Sequence, residues 1–216
     1  NGLNVEGPEL ILDEDDLSDG SDTIKEPLTQ TGTFTVNGAD GISSMKIEGD
    51  EATVGQRFTT AYGTFTITSI VTNTTVGGDP TSITVGYSYQ LTDNTAHANA
   101  GGENFLTDTF GIDVTDTDGS TDSATIEVRI VDDVPTAVVD GTTQAIENSP
   151  VTIDVLSNDI KGADGVTNAA VAFVPGSLVG TGTLVYNNDG TFTYTPAAGE
   201  LGTVSFNYTI TDGDGD

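Results

Sequence analysis

This chain of 216 residues has no cysteine, no tryptophan, one histidine, and five lysines and arginines against 34 aspartates and glutamates. Without cysteine there is no disulfide framework, so an exported protein of this sequence needs another staple. A formal net charge of −29 leaves no basic surface to displace counterions, which excludes nucleic acid and disfavours anionic membranes. No run approaches the ~18 apolar residues of a transmembrane helix, so no membrane insertion is expected. No segment has the basic start and apolar middle of a signal peptide. The sequence opens and closes in mid-pattern, which reads as a piece of something longer.

The same shortages bear on chemistry. Zinc and copper lack thiolate and imidazole ligands. Nucleophilic catalysis lacks a thiol and a G-x-S-x-G turn, and the sole histidine, His97, lies in NTAHANAGG, where it reads as a loop residue rather than a base. Carboxylates for glycoside hydrolysis abound, but aromatics total 6 % and fall at core positions, leaving no platform for a sugar ring. The expectation is that the chain is not an enzyme.

What is present is alternation. SITVGYSYQLT puts Ile83, Val85, Tyr87, Tyr89 and Leu91 on one face, and TFGIDVT, SATIEVRI and SFNYTIT repeat the pattern. Period-2 alternation with Thr-rich outer faces, punctuated by Gly, Asn and Asp, marks antiparallel strands with one face on a core. The predicted fold is all-β, two tandem antiparallel β-sandwich domains of Ig-like or cadherin-like type. Phe110, Ile112, Val114, Asp116 and Asp118-Gly119 align with Phe206, Tyr208, Ile210, Asp212 and Asp214-Gly215. The first copy is followed by a closing strand and then DDVPTA, which sets the domains at 1–134 and 135–216, with the second short of its closing strand. The segments TNTTVGGDPTS and TDNTAHANAGGEN read as insertions in the first domain.

In an Ig-like sandwich the B–C and F–G loops lie at the end where the chain enters. That places Asp132, Asp133 and Asp140 of the linker with Asp159, Asp212 and Asp214 at one junction. Such carboxylates repel one another by about 1 kcal/mol per close pair even at the dielectric of water. A divalent cation reverses that sign, and Ca²⁺, with six to eight oxygen ligands at flexible angles, suits the donor set better than Mg²⁺. An equivalent upstream site is expected where Asp116, Asp118 and Asp122 face Asp13, Glu14 and Asp16. An EF-hand reading of 116–127 fails because Thr121 stands at the glycine position.

ILDEDDLSDGSD, YQLTDN, LTDTFGIDVTDTDG and IVDDVPTA closely resemble a repeat domain of the giant RTX adhesins that bacteria export by type I secretion. ENSPVTIDVLSNDI and LVYNNDGTFTYTPAAGELGTVSFNYTITDGDGD resemble the cadherin-like or Ig-like extender repeats of the same family. The resemblance implies β-sandwiches strung outside the cell, stiffened by calcium at their junctions, in proteins for cell adhesion and biofilm formation. The partners it implies are neighbouring repeat domains of the same chain, with host-cell or surface glycans and peptides engaged through other domains. A second reading is a sugar- or peptide-binding module, with a site in the first domain's loops around Asp79 or Glu103. A flat threonine face (Thr33, Thr35, Thr64, Thr66, Thr68) is the pattern of ice binding, although outward threonines are ordinary β surface.

Overall fold

The computed structural model describes residues 10–99 and 101–216. It separates into two compact units. The first takes in the chain up to Leu17, Ile24–Thr95 and Asn104–Asp132; the second takes in Ser18–Thr23, Ala96–Glu103 and Asp133–Asp216. The division falls between Asp132 and Asp133, not at the expected residue 134. Two short segments that sequence order assigns to the first domain belong to the second unit. The presumed insertion TDNTAHANAGGEN is therefore partly a component of the second unit.

The strands of the first unit, in chain order, are β1 (Leu10–Asp13), β2 (Thr29–Asn37), β3 (Ile42–Ile47), β4 (Asp50–Glu51), β5 (Arg57–Thr59), β6 (Gly63–Val76), β7 (Asp79–Leu91), β8 (Phe105–Asp116) and β9 (Thr121–Val131). They form two sheets, β1-β9-β8-β3-β4 and β2-β7-β6-β5. β1 runs parallel to β9, and the other pairings are antiparallel. Alternation works as read: Ile83, Val85, Tyr87, Tyr89 and Leu91 are all buried, as are Phe110, Ile112, Val114, Ile126, Val128 and Ile130. Phe65 of β6 stacks on Phe110 of β8 with centroids 4.6 Å apart, joining the inner faces of the two sheets. Gly63 makes room for this core, since a Cβ there would come within 2.6 Å of the Tyr89 ring.

One polar group sits in that core. Asp108, 5 % exposed, accepts hydrogen bonds from the Tyr89 hydroxyl at 2.8 Å and the Thr60 hydroxyl at 2.6 Å. Burial, then the Asp108 carboxyl, pushes the Tyr89 phenol up. The carboxylate is satisfied by donors from β7 and the β5–β6 turn, so its role is structural. TNTTVGGDPTS is not a loop insertion. It is the far end of the β6–β7 hairpin, which turns at Gly77-Gly78, both at positive φ (66° and 108°) as a primed hairpin turn requires.

The second unit contains β10 (Val151–Asp154), β11 (Val171–Phe173), β12 (Thr183–Tyr186), β13 (Thr191–Thr195) and β14 (Tyr208–Ile210). Its sheets are β10-β13-β12 and β11-β14. Val155, Leu156, Val166, Val171 and Phe192 form the core, and Phe192 meets Phe206 at 5.0 Å. Strand segments here are short and the apolar residues of β14 are only partly buried.

A clasp closes one corner of the unit. Glu200 accepts from the Thr181 amide (2.7 Å), the Tyr194 hydroxyl (2.8 Å) and the Ala197 amide (3.0 Å). The Thr181 amide first, then the Tyr194 hydroxyl, hold the Glu200 carboxyl down to about 2. A depressed carboxylate contributes stability that is present above the unfolded value and lost as pH falls through the folded one. Thermal melts should therefore show Glu200→Gln less stable than the parent at pH 5, with the difference shrinking toward pH 2. A difference that stays constant over that range would remove the clasp from the account.

Candidate cation sites

In the second unit the site is built on the turn after β14. Asp212 is 8 % exposed. Its Oδ1 accepts from the amides of Gly215 (2.9 Å) and Asp216 (3.0 Å), while its Oδ2 is buried with no hydrogen-bond partner. Asp214 accepts from the His97 amide at 2.8 Å through Oδ2, and its Oδ1 is likewise buried without a donor. Carboxylate oxygens of Asp164 and Asp214 lie within 4.8 Å of each other. Gly213 lets the turn pass over Asp164, because a Cβ there would meet the Asp164 carbonyl oxygen at 3.0 Å. Asp216 accepts from the amides of Gly101 (2.8 Å) and Gly102 (3.2 Å).

Electrostatics give this turn its chemical meaning. Burial, then the Asp212 carboxyl, then the charge of Asp164, push the Asp214 carboxyl up. The second unit contains one lysine or arginine, Lys161, and it is exposed. Donor-free carboxylate oxygens held together in a site without a base match an oxygen-seeking divalent cation. His97 is 6 % exposed, so the loop residue expected from sequence is buried, and its main chain serves Asp214.

Other expected ligands are placed differently. Asp133 accepts from the amides of Ser21 (2.7 Å) and Ala163 (2.9 Å), both within the second unit. Asp140 and Asp159 gather on the Tyr208 hydroxyl, at 2.9 and 3.1 Å. Burial and the charge of Asp159 raise the Asp140 carboxyl against the opposing effect of its bond to Tyr208. Tyr208 precedes Asp212 by four residues, a span of about 13 Å along a strand, so these two aspartates form a group apart from Asp212 and Asp214.

In the first unit the parallel register Asp13↔Val131 brings the residues that follow, Glu14 and Asp132, together. Glu14 is fully buried and Asp132 is 2 % exposed, and their carboxylate oxygens lie within 4.8 Å. Glu14 accepts from the Thr95 amide at 2.7 Å and Asp132 from the Asn104 side chain at 3.3 Å. Asp16 accepts from the Glu26 amide at 2.5 Å, and Asp13 from the Asp15 amide at 3.1 Å. Buried carboxylate oxygens this close are the donor type that a hard divalent cation takes.

The upstream clasp expected from sequence is not assembled. Asp116, Asp118 and Asp122 lie at the β8–β9 turn, whereas Asp13 pairs with the opposite end of β9, nine residues and about 30 Å from Asp122. Asp116 and Asp118 instead bind the amides of their own turn, through Asp118 and Ser120. With Asn37, Asp40 and Ile42, Asp116 borders a cavity of about 80 Å³ that Asp122 also lines. Asp79 and Glu103 are both exposed. Thr64 is buried against Thr59, which takes it out of any flat threonine face.

Sequence reading missed Asp164, Asp216 and the pairing of Glu14 with Asp132. The first two stand in Asp-Gly contexts like those singled out, KGADG and GDGD. The third needed the parallel register.

Residues 132–216 match the family model described as a bacterial Ig domain. No match to a curated protein was found. The matched stretch begins at the residue where the two units divide and takes in both small antiparallel sheets of the second unit. No helix among the described residues is long and apolar enough to cross a membrane.

Neutralising Asp212 should act in opposite directions in the two states. Without calcium, Asp212→Asn relieves repulsion and should raise the melting temperature of the second unit; with millimolar calcium it should abolish most of the metal-induced gain. Loss of stability in both states would mark Asp212 as purely structural.

Proposed function

We propose that the chain is a calcium-stiffened extender segment of a bacterial surface adhesin. The observation that carries this reading is Asp212, nine-tenths buried with a donor-free Oδ2, held beside Asp214, whose Oδ1 is likewise buried without a donor. Asp164, Asp212 and Asp214 would hold Ca²⁺ in the second unit, and Glu14 with Asp132 would hold one in the first. The cation supplies neutralisation and cross-linking, and no reaction is assigned to it.

Asp132 belongs to the first unit and Asp133 to the second, and a bound cation would hold each in place. Fixing both residues removes backbone freedom of roughly 1–2 kcal/mol per residue, which the metal contacts must exceed. Extracellular calcium is millimolar, and sites of about 10⁻⁴–10⁻³ M affinity fill there and empty at intracellular levels. The chain would thus leave the cell pliant and stiffen outside it. The bacterial Ig-like match supports a structural repeat of a surface protein. Membership of the RTX adhesins, type I export and a role in biofilms rest on the sequence resemblance.

A sugar- or peptide-binding module fits less well. The cavity of about 80 Å³ by Asp40 is well below the ~300 Å³ at which small-molecule sites begin. Without a positioned nucleophile or base, we assign no enzymatic activity.

Small-angle X-ray scattering with and without millimolar calcium tests the extender directly. The maximum dimension should become better defined and longer with calcium, together with a higher melting temperature. If neither responds, the buried carboxylates serve the fold alone and the extender reading falls. A Glu14→Gln, Asp132→Asn double variant should keep the calcium response of the second unit while losing that of the first, read by amide exchange in each.

A further inference from the structure

The sheet β2-β7-β6-β5 of the first unit stands apart from the rest of the chain in charge. Aspartate and glutamate make up 34 of the 216 residues, yet these four strands hold one between them, Asp79 at the start of β7. Alternation turns the large apolar residues inward, so the outer face is made of what remains. Register sets that face out in rows. Thr31, Ser88 and Thr66 lie side by side across β2, β7 and β6, and Thr33, Gly86 and Ser69 form the next row. Thr35, Thr84 and Val71 follow, with the Thr35 and Thr84 hydroxyls 3.0 Å apart. Arg57 extends the first row onto β5 and is the only charged side chain in these rows.

The outer face of the other sheet is ordinary by comparison. There Asp113, Lys46 and Glu51 are neighbours in register across β8, β3 and β4, and Glu127 stands exposed on β9. The neutral face is also level at its centre. Gly86 carries no side chain, and a Cβ there would come within 2.4 Å of the Ser69 hydroxyl that lies over it.

Charge decides what such a face can meet. Two copies of net charge −29 repel wherever carboxylates approach, and the range of that repulsion is about 8 Å at physiological salt. The neutral rows are where two copies come together without opposing carboxylates. Each hydroxyl both donates and accepts, so the face is complementary to itself, as a two-fold contact requires. The stretch Ser82–Gln90 of β7 spans about 30 Å and four strands about 19 Å, which offers roughly 550 Å² per copy and about 1,100 Å² in a pair. That lies at the lower end of specific interfaces, in the range of transient ones. A neutral glycan fits the face less well, because no aromatic ring stands in the rows.

We propose that the outer face of the β2-β7-β6-β5 sheet is a self-association surface, and that its partner is the same face of a second copy of this chain. The pair packs sheet on sheet with threonine methyls and hydroxyls between, and it is weak because the contact is small and the remainder of both copies repels. Screening that repulsion therefore strengthens the pair, the reverse of an association driven by opposite charges. None of the carboxylates assigned to a cation lies in these rows, so the inference stands apart from the cation reading.

Sedimentation equilibrium of the full chain, at constant millimolar calcium, tests this. The parent should be monomeric at about 10 μM and associate toward dimer at about 1 mM, as a contact of this size allows. Raising NaCl from about 50 to about 500 mM should tighten the association at least about threefold. Thr33→Glu should keep the chain monomeric throughout, whereas Thr107→Glu, exposed on the other sheet, should behave as the parent. An equimolar mixture of Thr33→Glu and Thr33→Lys should associate more than either variant alone, which a folding defect could not produce. A parent that stays monomeric at about 1 mM in high salt overturns the proposal, as does equal weakening by Thr107→Glu or a mixture no better than its components. Shifts of the Thr33 and Thr84 methyl signals on adding a soluble neutral glucan, with the chain still monomeric, assign the face to carbohydrate and overturn it too.

Discussion

Carboxylates withdrawn from water and held close together are the constraint on which this structure turns. At two places, Asp164 with Asp212 and Asp214 and Glu14 with Asp132, acidic side chains are withdrawn from water into each other's company. Each burial costs solvation and each neighbour adds repulsion, so the arrangement works against the folded state unless something positive enters. The same carboxylates thus make the folded form dependent on solution conditions.

Around this constraint the two units differ in self-sufficiency. The first has long strands, a β6–β8 aromatic stack and two sheets, and the carboxylate between them, Asp108, is answered by Tyr89 and Thr60. The second has strands of three to five residues and a core of fewer large side chains. It relies on local clasps such as Glu200 and on segments borrowed from earlier in the chain, Ser18–Thr23 and Ala96–Glu103. Amides from those segments reach Asp133, Asp214 and Asp216, so an acidic turn doubles as a fastening for distant chain. Hydrogen-bond donors to a carboxylate are stronger than neutral ones, which suits them to holding loops that bury little apolar surface.

Much of this was legible in residue order. Alternation at Ile83–Leu91 and Phe110–Val114 named the buried faces, because side chains on a strand change sides at every residue. The repeated Asp-Gly turn located the β8–β9 hairpin and the acidic turn after β14, because Asx hydrogen bonds and a positive-φ glycine are local requirements. Asp212 and Asp214 were named as ligands for the same reason. Less was legible where the outcome depended on pairing between distant segments. Asp159 is expected beside Asp214, yet the chain path gives it to Tyr208 and brings Asp164, from the same loop and not singled out by sequence, to Asp214.

The sequence by itself determined the class of fold, the inner faces of the strands, the turns and the acidic character that favours a divalent cation, since all of these follow from periodicity, composition and local backbone preference. Only the tertiary structure decided which carboxylates meet. The parallel pairing of β1 with β9 moved Glu14 to Asp132 and left Asp116, Asp118 and Asp122 at the far end of the sheet. It also buried His97 and gave two segments of the first domain to the second unit. Register and loop docking are settled by long-range burial, and no short stretch of sequence contains both partners of such a contact.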